Sequence, residues 1–85
     1  MGLVNRVVPA DKLMEEALAF AGELARGPTK AIGQAKRAVY GSLSLDLEQS
    51  LALEGQLQTQ ALSSSDYQEG VRAFLEKRPP QFRGR

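Results

Sequence analysis

The sequence has no cysteine, no histidine and no tryptophan. Without cysteine there are no disulfides, no thiolate metal sites and no cysteine nucleophile; without histidine the most common acid–base group near neutral pH is missing. Lack of cysteine suits a chain of the reducing cytoplasm, which is the expected compartment. No apolar run approaches the roughly 20 residues that span a bilayer, and Met1–Arg6 contains no apolar segment of a secretory signal. Met1-Gly2 opens as a myristoylation motif does, but Arg6 stands where Ser or Thr is expected, so that reading is set aside. Nor is there a surplus of charge: 11 basic residues face 10 acidic ones. Binding to nucleic acid or to a membrane surface, which needs a basic excess on one face, is not expected. The 8 glycines form neither a GxGxxG nor a Walker pattern, and Ser63–Ser65 have no histidine to activate them.

What is present is helical periodicity. The 85 residues make one small domain or part of a larger one, and a free-standing chain of this size buries roughly 60–65% of its unfolded surface. Leu3–Val8, β-branched and closed by Pro9, reads as a short strand or extended segment. No second strand is legible to pair with it, so a partner from outside these residues is expected. Four helices follow. The first, about Asp11 to Arg26, carries an apolar stripe through Leu13, Met14, Ala17, Leu18, Ala21 and Leu24. The second, about Pro28 to Tyr40, has a stripe of small residues, including Ala31, Ala35 and Ala38. The third, about Leu45 to Leu62, is expected to be capped by Ser44 and is apolar on more than one side, because Leu45 and Leu53 fall off the main stripe. The fold class is therefore mainly α.

The last helix and tail, Asp66 to Pro79, have the clearest boundaries. Asp66 is expected to cap the first turn, with Glu69 reaching back in a capping box. Tyr67, Val71, Phe74, Leu75 and Arg78 share one side, and Pro79-Pro80 ends the helix. Chemistry can be sought in two places. Glu54, an acid on an apolar stripe, is a raised-pKa acid–base group or, as favoured here, a structural partner of Arg37 or Arg72 or simply an exposed acid. Phe74 and Lys77, three apart and beside a basic tail, are either core plus a solvated lysine, the reading that spacing favours, or a site for the base and phosphates of a nucleotide.

Several stretches together are similar to one family. Gly2-Leu3-Val4-Asn5-Arg6-Val7-Val8-Pro9, then Gly27-Pro28-Thr29-Lys30-Ala31 and Lys36, then Leu47-Glu48 through Glu54, and above all the D-x-x-E-G-x-x-A-F-x-E-K-R-x-P-x-F of Asp66 to Phe82, resemble the C-terminal region of enoyl-CoA hydratase/isomerase (crotonase) proteins. The resemblance is collinear and covers essentially the whole chain. It implies that residues 1–9 end an absent core of ββα units and that residues 10–85 form the helical region that builds a trimer. It implies acyl-CoA thioester substrates in the parent, with no metal and no redox cofactor and with coenzyme A only as part of the substrate. The family's oxyanion hole and glutamate pair lie in the absent core, so no catalytic residue is expected here and the chain alone is expected to be inactive. The resemblance also places Phe74 and Lys77 at the nucleotide end of coenzyme A, facing a neighbouring subunit's ligand. A further aromatic contact of some hydratases falls on Gln58, which is not aromatic. Two rivals stand beside this reading: a free-standing helical interaction module, and a small acyl-CoA carrier, for which no acyl tunnel is legible.

Overall fold

The computed structural model describes residues 2–85; Met1, included in the strand-like segment 1–9 expected above, lies outside them. Four α-helices run in order: α1, Leu13–Arg26; α2, Thr29–Ser42; α3, Leu47–Leu62; and α4, Ser65–Leu75. Among the described residues there is no strand. Leu3–Val8 is irregular, with bends at Leu3 and Asn5, and a single 3₁₀ turn, Ala10–Lys12, leads into α1. No strand forms because a ladder needs a second strand to hydrogen-bond to, and the described residues offer none.

The helix boundaries follow local chemistry. Gly27 leaves α1 in an extended conformation, with its N–H on the Leu24 carbonyl at 3.1 Å, and Pro28 stands at the N-cap of α2. The expected Ser44 cap of α3 is not used. Ser44 closes the preceding turn on the Gly41 carbonyl, and Asp46 caps instead. The Gln49 N–H donates to Asp46 Oδ1 at 2.8 Å, and the Asp46 N–H donates to Gln49 Oε1 at 3.2 Å, a reciprocal capping box. A carboxylate one residue before the helix competes well with a serine three residues out, because only the former reaches the N3 amide.

The main packing is α2 against α3. Leu57 of α3 is buried, and Gly41 of α2 lets α3 come close: a Cβ there would stand 2.6 Å from Leu53 Cδ2. This is why α3 carries leucines on more than one side. Gln34 Nε2 donates to Gln60 Oε1 across the same interface at 3.1 Å. Of the other α-helices, α1 touches only α2, and α4 leans on the end of α3.

The result is a flat, open assembly of 43 × 39 × 18 Å, with a radius of gyration of 16.1 Å. A compact domain of this length would have about 12 Å. Leu57 and Ala73 are the only buried apolar residues among those described. The accessible surface is 7206 Å², against about 4,900 Å² for a globular protein of this mass. Leu13, Met14, Leu18, Leu47, Leu51, Phe74 and Leu75 are each more than half exposed.

Candidate functional site

The best-defined polar geometry lies in α4 and the tail that returns over it. Ser64, not Asp66, is the N-cap: its Oγ accepts the Tyr67 N–H at 3.1 Å and donates to the Ala61 carbonyl at 2.6 Å. This frees Asp66 for another task. Asp66 is buried, with Oδ1 accepting the Arg83 N–H at 2.7 Å and Oδ2 the Gly84 N–H at 2.8 Å. Its own N–H donates to Arg85 O at 2.8 Å, and the Ser65 hydroxyl donates to the same oxygen. Free N–H groups at a helix start are natural partners for acceptors of this kind.

Glu69, one turn along, holds the near end of the tail. Arg78 Nη1 and Nη2 donate to its two oxygens at 2.6 and 3.1 Å, and the Gln81 N–H adds a third bond at 2.9 Å. A bidentate guanidinium–carboxylate pair is among the stronger polar contacts. The Arg78 side chain, and after it the Gln81 N–H, hold the Glu69 carboxyl well below its usual 4.5, at about 2. Glu69 and then Glu76, whose Oε2 accepts from Arg78 Nε at 2.6 Å, push the guanidinium further above its ordinary range. The expected Asp66–Glu69 capping box is thus corrected: both acids clasp the tail.

The helix ends three residues earlier than expected. Leu75 is its last residue, and the chain leaves through a Schellman turn: the Arg78 N–H donates to the Ala73 carbonyl at 3.0 Å and the Lys77 N–H to that of Phe74 at 3.2 Å. Lys77 occupies the left-handed position of this turn at φ 53°, where glycine is usual. Phe74 and Lys77 therefore do not stand side by side on one helix face. Phe74 is 82% exposed and lines an apolar groove. Tyr67, Val71 and Leu75 of α4 line it too, with Phe82 from the tail and Ala61 from α3. The shared apolar side read from the periodicity is present, except that Arg78 has turned back to Glu69. Lys77 makes no salt bridge among the described residues.

Glu54 is exposed and faces a second groove, between α2 and α3, which Gln34, Leu57 and Gln58 also line. Among the described residues it pairs with neither Arg37 nor Arg72, so the ion pair considered for it is not formed. Of the alternatives weighed for Glu54, the exposed acid is what the structure shows. Three features escaped the sequence reading: the tail clasp, the seating of Phe82 over Gly70, and the approach of Gly84 to Thr29. A Cβ on Gly70 would lie 3.6 Å from the Phe82 ring, and one on Gly84 2.6 Å from Thr29 Oγ1. The one signal for them was the pairing of two acids a turn apart with an aromatic beyond Pro79-Pro80.

Open helices, a clasped basic tail and an apolar groove define a helical region whose faces are not closed by its own residues. The family model for enoyl-CoA hydratase/isomerase matches residues 1–85, and the chain belongs to that family. A protein described as "Probable enoyl-CoA hydratase" from Rhodobacter capsulatus is 47% identical over 85 residues, covering 100% of this chain and 33% of its own length. The 2,3-dehydroadipyl-CoA hydratase of Escherichia coli K12 is 43% identical, covering 99% of this chain and 33% of its own length. Among solved structures, an enoyl-CoA hydratase of Geobacillus kaustophilus HTA426 superposes with a TM-score of 0.93 at 38% identity, over 99% of this chain and 32% of that one. The chain thus spans about a third of the length of the curated relatives it matches.

Proposed function

We propose that this chain is the C-terminal helical region of an enoyl-CoA hydratase/isomerase acting on acyl-CoA thioesters. Residues 1–9 end the catalytic core and residues 10–85 form the oligomerisation region. In this reading the helices build the trimer, and Phe74 and Lys77 form one edge of the coenzyme A site: an exposed ring for the base and an ammonium for a phosphate. The parent enzyme works in the cytoplasm with no metal or redox group, and coenzyme A enters only as part of the substrate.

One observation carries the reading. The chain matches the family from end to end, yet exposes 7206 Å², roughly 2,300 Å² more than a protein of its mass would leave in water. An excess of that size is what one protomer contributes to a large, obligate interface. The Lys77 backbone supports the site assignment, since a non-glycine residue in a left-handed turn is often retained for its side chain. Hydration of crotonyl-CoA, followed by loss of thioester-conjugated absorbance, tests the division of labour. The pure chain is expected to give no turnover, because it carries no acid–base pair. Turnover by the pure chain would overturn the proposal.

A further inference from the structure

We propose that Glu69 is a positioning residue for Lys77: by gripping Arg78 it fixes the turn from which Lys77 meets an anionic group of coenzyme A. This rests on the reading of Lys77 as a coenzyme A contact. Lys77 is the only non-glycine residue with positive φ among those described, at 53°. Such a conformation persists where the surroundings over-determine it, and three sets of contacts do so. The Schellman bonds fix the backbone on either side of Lys77. The flanking Glu76 and Arg78 are tied to each other at 2.6 Å. Arg78 is then anchored to α4 by two bonds to Glu69, which also takes the Gln81 N–H.

The same bonds sort the charges. Two carboxylates meet the guanidinium of Arg78, whereas Lys77 has no carboxylate partner among the described residues. Of the two cations in this turn, Lys77 is thus the one without a carboxylate partner, and Glu69 acts on a ligand only through it. Without Glu69, Arg78 would keep Glu76 as its only carboxylate partner, and the turn would lose its side-chain anchor to α4.

The test is a double-mutant cycle on the full chain, with coenzyme A as the probe and binding followed by titration of amide chemical shifts. Lys77→Ala is expected to weaken binding about tenfold, the worth of one charge-assisted hydrogen bond. Glu69→Gln is expected to weaken it several-fold in the wild-type background and to have no further effect once Lys77 is alanine. A merely structural Glu69 would weaken binding equally in both backgrounds. That result, or no effect of Glu69→Gln in either, would overturn the positioning role while the Lys77 site stands. If Lys77→Ala changes nothing, or the wild-type chain shows no saturable binding, the site reading itself fails and the positioning role falls with it. Arg78→Lys keeps the charge but not the bidentate fork, and is expected to match Glu69→Gln. It carries the cycle should Glu69→Gln lower the helix content.

Discussion

The two ends of this molecule are finished in different ways. From Ser64 to Arg85, polar groups are satisfied by one another: a serine cap, two carboxylates receiving three tail amides and a guanidinium, and a Schellman turn. From Gly2 to Arg26 the helical hydrogen bonds are made, but no residue is buried. The segment Leu3–Val8 has no ladder, and α1 has no buried residue despite its clean apolar stripe. What holds the segment to α1 is Arg6, 3.8 Å from Glu16 and 5.3 Å from the centre of the Phe20 ring. Exposed contacts of this kind contribute well under 1 kcal/mol or little more. The contrast teaches that local order and buried area are separate matters. The C-terminal end is closely specified with little core, while the N-terminal end carries an apolar stripe that its own residues leave exposed.

The largest expected effect comes from breaking the clasp. Asp66→Ala leaves the Arg83 and Gly84 amides without their acceptor and should cost about 1–3 kcal/mol locally. Amide hydrogen exchange at residues 81–85 should rise sharply while α2 and α3 keep their protection. Next comes Gly84→Ala, which combines a φ of 76° with an approach of 2.6 Å to Thr29. About 1–2 kcal/mol is expected, read as a lower thermal midpoint and a mobile tail. Lys77→Gly works in the opposite direction. Removing the left-handed penalty should raise stability by about 1 kcal/mol while abolishing any contribution of the ammonium to coenzyme A binding. A gain in melting temperature together with weaker binding would show that Lys77 is held in place at the expense of stability.

Acidification sharpens the same contrast. Glu69 has a depressed carboxyl, so its contribution is fully present above its ordinary value of 4.5 and is lost as pH falls through about 2. Between those values the Gln81 amide and the Arg78 side chain should lose protection in NMR spectra, with no matching change around Gly27 or Gly41. Smallest of all is the effect of Met14→Lys on the unassociated chain. Met14 is 69% exposed, and a change within about 0.5 kcal/mol is expected in its melting. The same substitution should weaken self-association, since it places a charge in the exposed apolar stripe of α1.

Much of the fold was legible because helical periodicity is local. The stripe of α1, the alanines of α2 and the boundary at Gly27-Pro28 rest on neighbours three or four residues apart. The errors came where two local solutions compete or where the partner is distant in sequence. Ser44 was read as the cap of α3, but Asp46, one residue before the helix, forms the box with Gln49. Asp66 and Glu69 had the spacing of a capping box, but Ser64 took the cap and left both acids for a tail up to 18 residues away. The Lys77 turn escaped because the Schellman motif is signalled by glycine, and here the position holds a lysine. For Leu3–Val8, strand propensity did not suffice, because a ladder depends on a partner that the local pattern cannot supply.

The central claim is that the exposed apolar faces of these helices are an interface rather than a free surface. Sedimentation equilibrium of the purified chain, with far-ultraviolet circular dichroism on the same sample, tests it most directly. The account predicts a helical species that self-associates, with a trimer as the limiting mass. A helical monomer that stays monomeric across the accessible concentrations would contradict it.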